Sequence, residues 1–192
     1  NFKCAWFLWF EPHHKPGSEG RSLKSVLKLV KNHSQLVLVQ RFLKIVDILW
    51  AFVDFRPLYQ YYLFSRSKEF KKIFKENNLN FQRLVHRYLI YNFFGASLPL
   101  LKLVEISHRR AFARYSPKVA LTFQELFLNT RPFYQGGRLG YPETVFCAVQ
   151  HCSYNREKTF NVLEPKREFQ GNPDGFAMPT PDYIFALGEL GK

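Results

Sequence analysis

The spacing of apolar positions along this chain changes near Pro117, and after it they come in short unbroken runs. Val119-Ala-Leu-Thr-Phe-Gln-Glu125 is of strand length and ends on a polar pair. Thr144-Val-Phe-Cys-Ala-Val-Gln-His151 repeats that pattern, and Asp182-Tyr-Ile-Phe-Ala-Leu-Gly188 is a third run. Between the first two, Leu126 to about Tyr134 reads as a helix closed by Gly136-Gly137. Short apolar runs separated by a helix predict parallel strands, buried on both faces of an α/β sheet. In such sheets the working groups sit just past the carboxyl ends of the strands. Those positions hold Gln124, Glu125, Gln150 and His151.

Before Pro117 the spacing is mostly helical. Phe2 to Phe10 is strand-like by its aromatic content, and Glu11-Pro12-His13-His14-Lys15-Pro16-Gly17 is a loop. Ser22–Lys31 is a short basic helix. Leu36–Phe55 reads as a long helix with Gln40, Lys44, Asp47, Ala51 and Asp54 in one narrow polar stripe on an otherwise buried surface, ended by Arg56-Pro57. Ser65–Asn77 is predicted as a further helix, with Phe70, Ile73 and Phe74 on one face and Lys68, Lys71, Lys72 and Lys75 around it. That face suits either an anionic leaflet or the domain's own interior. Asn77 to Asn80 is a turn. Phe81, Leu84, Val85, Tyr88 and Leu89 then mark a helix, with His86 on its solvent side and Gly95 at its end. Ser97-Leu98-Pro99 starts the next helix. His108, Arg109, Arg110 and Arg114 near its end complement its dipole, and Ser116-Pro117 breaks it.

Composition narrows the class. The 192 residues give room for one full domain. The chain starts on Asn and stops at Gly-Lys directly after an apolar run, as expected of a fragment. Hydrophobic residues at 46% and aromatic residues at 18% are too many for a disordered chain. The net charge of +13 is confined to the first part: residues 1–118 hold 21 Lys and Arg against 7 Asp and Glu, and residues 119–192 hold 7 against 8. Such asymmetry points to an anionic partner, a membrane leaflet or a nucleic acid, or simply to solvated helix faces. Cys4, Cys147 and Cys152 have no metal-ligand spacing, and a buried reduced thiol in a reducing compartment is expected. Leu36–Phe55 is interrupted by four charges and the uncharged run between Arg87 and Lys102 has only 14 residues. A span needs about 18 or more, so the chain reads as soluble or peripheral, with no signal peptide visible.

His151 stands where a strand meets a loop. An imidazole there serves as a general base, hydrogen-bonds a phosphate or sugar hydroxyl, or merely caps the sheet edge. Glu125, at the matching point of the neighbouring strand, orients it or is itself the base. The following loop carries Ser153, Tyr154, Arg156 and Lys158, and the two cations suit phosphate or carboxylate recognition. His13 and His14 point to opposite sides of an extended chain; with no third ligand nearby they suggest a substrate-facing or plain surface loop, and no metal. There is no Gly-rich phosphate fingerprint, Gly-x-Ser-x-Gly elbow, His-Glu-x-x-His or Cys-x-x-Cys.

The order Thr122-Phe-Gln-Glu125, helix, Val145-Phe-Cys-Ala-Val-Gln-His151, then Pro181-Asp-Tyr-Ile-Phe-Ala-Leu-Gly188 resembles bacterial surface-polysaccharide glycosyltransferases of the GT-B type, over about Pro117 to Lys192. The Ser153–Lys158 loop and Asp174-Gly-Phe-Ala-Met-Pro179 are similar to the subgroup of surface carbohydrate biosynthesis proteins. Cys152 stands where the family usually has Gly. The resemblance implies two Rossmann-like domains facing a cleft. Residues 1–180 would be the acceptor-side domain, a parallel sheet with many helices, and residues 181–192 the start of a donor-binding domain. His151 and Glu125 would be catalytic. Gln124, Gln150, Ser153, Tyr154, Arg156, Lys158, His13 and His14 would bind substrate. The donor would be a nucleotide sugar, with no other cofactor and no metal, and the acceptor a glycan or lipid-linked sugar. The protein would be cytoplasmic, peripheral on the inner face of the cell membrane, and this fragment inactive alone. Transfer of a polyol phosphate fits the same residues. The rival class is a basic module without catalysis, either a membrane-surface scaffold or a nucleic-acid binder using Lys68–Lys75 and Arg109–Arg114. No nucleic-acid motif is present, which makes nucleic acid the less expected partner.

Overall fold

Two small parallel sheets surrounded by helices make up the computed structural model, which describes residues 4–9, 23–68, 70, 75–76, 79–80, 82–94, 97–123, 130–149 and 179–185. β1 (Trp6–Leu8) pairs in parallel with β2 (Leu36–Leu38), with α1 (Leu23–Asn32) between them in the chain. A 3-10 turn at Val39–Phe42 leads to α2 (Ile45–Val53) and α3 (Arg56–Ser65). Pro57 sits in the first turn of α3, where its missing N–H costs nothing. A short antiparallel pair, β3 (Lys75–Glu76) and β4 (Leu79–Asn80), precedes α4 (Gln82–Phe94) and α5 (Ser97–Tyr115). Then come β5 (Val119–Phe123), α6 (Thr130–Gly140), β6 (Val145–Val149) and β7 (Tyr183–Phe185), the strands lying parallel in the order β5-β6-β7. The protein is thus α/β with parallel pairing, as its apolar runs predict. Among the described residues the pairing is split between two sheets.

The core forms where α5 and α6 pack on the second sheet. Phe112, Ala120, Tyr134 and Phe146 are buried together, with Phe7, Phe133 and Tyr141 against them. Phe112 stacks on Phe146 with centroids 5.5 Å apart, and Phe133 meets both edge-on. Fully burying such a ring is worth roughly 1.5–3 kcal/mol, which makes this aromatic cluster the main cohesive element of the β5–α6–β6 unit. α5 ends at Tyr115, and the next residue, Ser116, has a left-handed φ of 46°; its N–H donates to the Phe112 carbonyl at 2.8 Å. The expected break therefore falls where Ser116-Pro117 places it.

The expectation that Gly136-Gly137 closes a helix is corrected. α6 continues through both glycines to Gly140. A Cβ at Gly136 would overlap the Glu105 carbonyl oxygen, one at Gly140 the Arg109 carbonyl oxygen, and one at Gly137 the Phe146 and Phe112 rings. These glycines bring α6 against the backbone of α5, and the packing offsets a helix-propensity cost of about 1 kcal/mol each.

Leu36–Phe55 is not one helix: it divides into β2, the 3-10 turn and α2. Its polar stripe also points the other way. Asp47 and Ala51 are buried, whereas Ile45, Leu49, Trp50, Phe52 and Val53 are exposed. The cause is a pair of ion contacts with α5, described below. The predicted Ser65–Asn77 helix is also interrupted, since Lys75–Glu76 is a strand paired with Leu79–Asn80. Phe70 takes the interior option and is fully buried; Ile73 and Phe74 lie outside the described residues.

β6 is buried on both faces at Phe146, Cys147 and Ala148, as expected, whereas among the described residues β5 and β7 are not. In β5, Ala120 is buried while Val119, Leu121 and Phe123 are exposed, and all of β7 is exposed. The described helices that pack on this sheet, α5 and α6, meet it through the Phe112–Tyr134–Phe146 face. Asp182 fastens β7 to that unit. Its carboxylate accepts the Phe146 N–H at 2.8 Å and pairs with Arg138 of α6 at 2.8 Å, while Arg138 also donates to the Thr180 carbonyl.

Candidate functional site

The carboxyl ends of β5 and β6 lie side by side. Register pairs Phe123 with Val149, and Val149 with Phe185 on β7. Phe123 and Val149 therefore end their strands at the same edge of one parallel sheet. The expected site residues themselves, Gln124, Glu125, Gln150, His151, Ser153, Tyr154, Arg156, Lys158, His13 and His14, lie outside the described residues. At the strand ends described, Phe123 is exposed and Val149 half-buried.

Three polar arrangements escaped the sequence reading. The first joins α2 to α5. The Arg110 guanidinium grips the Asp47 carboxylate with both terminal nitrogens, one at 2.8 Å, and also donates to the Phe42 carbonyl at 2.8 Å. Asp47 simultaneously accepts the Lys44 N–H at 2.7 Å, which caps α2. The Arg110 hydrogen bond above all holds this carboxyl below the usual carboxylate range, against the opposing effect of burial. About two helical turns later, Asp54 accepts Arg56 in two contacts at 2.8 and 2.9 Å and also pairs with Lys102, so its pKa too is held low. Asp47 to Arg110 and Asp54 to Lys102 run in opposite directions, so α2 lies antiparallel on α5 with Ala51 between the two contacts. The four- and three-residue spacing of Asp47, Ala51 and Asp54 was the available signal; it marks the inward face.

The second arrangement is a pocket between α3 and α4, about 460 Å³ in volume and lined by Phe55, Leu58, Tyr59, Tyr61, Tyr62, Ser65, His86 and Ile90. His86 is not a solvent-face residue as expected. The buried Tyr61 hydroxyl is hydrogen-bonded to its Nδ1 at 2.7 Å, and the two rings stack 5.7 Å apart. Burial pushes the Tyr61 phenol up from its ordinary pKa. In α4, Leu84, Tyr88 and Tyr91 are exposed alongside Arg83 and Arg87. Such a pocket has the size and apolar lining of a site for an uncharged ligand portion. Within it the Tyr61–His86 pair is engaged internally, and the Ser65 hydroxyl donates to the Tyr62 carbonyl.

The third is His108 on α5. Rather than complementing the dipole as a cation, it is buried, stacked on Trp9 and edge-on to Phe133. Its Nδ1 lies 2.8 Å from the Val104 carbonyl, which can only accept, so that nitrogen carries the proton. Burial pushes its pKa down, which favours the neutral ring. Cys147, as expected, is a buried free thiol, and Cys4 is an exposed one.

Among the described residues no group of three or more His, Cys, Asp or Glu could hold a metal ion. No described helix is long and apolar enough to cross a membrane. No family model, curated protein or solved structure matches this chain. The class that its own structure defines is an α/β protein with small parallel sheets. Beyond that class, its function rests on the residues at the sheet edge and on the helical surface.

Proposed function

We propose that this chain is the acceptor-side, Rossmann-like part of a GT-B glycosyltransferase of surface polysaccharide synthesis, using a nucleotide sugar as donor. One observation supports the reading: β5 and β6 end in register at Phe123 and Val149, and in the sequence Gln124-Glu125 and Gln150-His151 follow those ends. That is the edge at which open parallel sheets bind ligands.

His151 or Glu125 takes the proton from an acceptor hydroxyl. The hydroxyl oxygen then bonds to the anomeric carbon as the bond from that carbon to the diphosphate oxygen breaks, and the electron pair leaves with the nucleoside diphosphate. Arg156 and Lys158 offer charge for that leaving group. The test is sugar transfer from nucleotide sugars by the full-length protein. His151→Ala is expected to lower the rate roughly 10²–10⁴-fold; an unchanged rate would remove the catalytic assignment.

A further inference from the structure

We propose that the outward surface of α2, continued by Phe55 and α3, docks on an anionic lipid leaflet. α2 presents its apolar residues to solvent, with Ile45 at 79% and Trp50 at 65% of full exposure. Leu49, Phe52, Val53, Phe55, Tyr59 and Leu63 continue this exposure without a break in the chain. Monomeric proteins rarely leave contiguous apolar patches beyond a few hundred Å² uncovered.

Charge identifies the occupant. From Phe42 to Lys68 the described acidic side chains are Asp47 and Asp54. Both are turned inward and neutralised, by Arg110 and by Arg56 with Lys102. The exposed cations Arg41, Lys44, Arg66 and Lys68 flank the apolar surface, with no described carboxylate between them left unpaired. An apolar face whose described exposed flanking charges in this stretch are cations matches the boundary between headgroups and acyl chains of an anionic leaflet. A water-facing surface would carry both signs, and a protein partner would need acids placed against these cations.

Aromatic placement agrees. Trp50, Tyr59 and Tyr62 are residue types that favour the membrane–water interface, and Arg66 lies 4.2 Å over the Tyr62 ring. The α3–α4 pocket shares Phe55, Tyr59 and Tyr62 with this surface, so its apolar wall continues the docking face. α2 has nine residues, about 13 Å of helix, which lies on a leaflet and does not cross one. None of this rests on the transferase reading, because it uses no residue of the sheet edge.

The test is co-sedimentation of the full chain with phosphatidylcholine vesicles, with and without one-third phosphatidylglycerol. Binding is expected only with the anionic lipid. Leu49→Glu with Trp50→Glu should lower the partition coefficient at least tenfold, and Lys44→Glu with Arg66→Glu should lower it severalfold. These residues are exposed, so an unchanged circular dichroism spectrum and melting temperature serve as the folding control. Lys24→Glu with Lys28→Glu on α1 should change binding little. Protein that stays in the supernatant with both vesicle types overturns the proposal. So does binding insensitive to Leu49→Glu with Trp50→Glu, or weakened equally by the α1 variant. A concentration-dependent dimer abolished by Leu49→Glu with Trp50→Glu, without vesicle binding, would assign the face to a second copy and also overturn it.

Discussion

Arg110 on α5 holds Asp47 on α2 through two side-chain contacts across 63 residues of chain, and this ion pair sets which face of α2 meets the protein. With Asp54 on Lys102 about two helical turns further on, a polar ladder takes the place usually held by apolar packing. The apolar residues of α2 are left outside. The ladder is the link between the sequence pattern and the proposed lipid surface.

Removing one rung while keeping the other charge is therefore costly. Asp47→Ala leaves Arg110 without its carboxylate and Lys44 N–H without its cap, and is expected to destabilise the protein by roughly 1–3 kcal/mol. Urea unfolding measures this. In a double-mutant cycle with Arg110→Ala, a coupling energy near zero would show that the pair does not hold α2.

Gly140→Ala is expected to destabilise by about 1–3 kcal/mol, because its Cβ meets a backbone oxygen of α5 that cannot yield. In a solvent-exposed helix the same change would stabilise by about 1 kcal/mol. The sign of the shift in melting temperature thus reports whether α6 touches α5 at this point.

Acidification should lower stability in two windows. The folded pKa of His108 is pushed below its ordinary 6.5, so the unfolded chain binds the proton more readily, and stability falls as pH drops below about 6.5. Asp47, Asp54 and Asp182 are held below their ordinary 3.8, so their contribution is complete above that value and is lost as pH falls beneath it. For Asp182, burial pushes upward but is outweighed by the Phe146 N–H and Arg138. Urea midpoints at several pH values for wild type and His108→Phe should differ only by loss of the upper window.

Asp182→Ala should loosen β7 from β6. The Phe146 N–H loses its carboxylate partner and Arg138 its anion. Hydrogen exchange at the Phe146 amide is expected to accelerate, whereas the Phe112 amide within α5 stays protected. Unchanged exchange at Phe146 would mean that the strand pairing alone holds β7.

The strands β5, β6 and β7, the helices α1 and α5, and the break at Ser116 were legible in the sequence, because each rests on local spacing or backbone preference. The same local pattern located the ends of β5 and β6, beyond which the expected site residues lie outside the described residues. Spacing also marked Asp47, Ala51 and Asp54 as one face of a helix. It could not say that this face turns inward, since that depends on Arg110 and Lys102 far along the chain. The role of Gly136 and Gly140 was likewise invisible, because a helix-ending glycine and a glycine pressed against another backbone read alike until the neighbour is in place. His86 and His108 acquired their burial the same way, from Tyr61 and Trp9 on other elements. Sequence by itself determined the kinds of element and their order. Tertiary structure decided which faces are covered, because burial is a property of pairs of elements and pairing energies act across the chain.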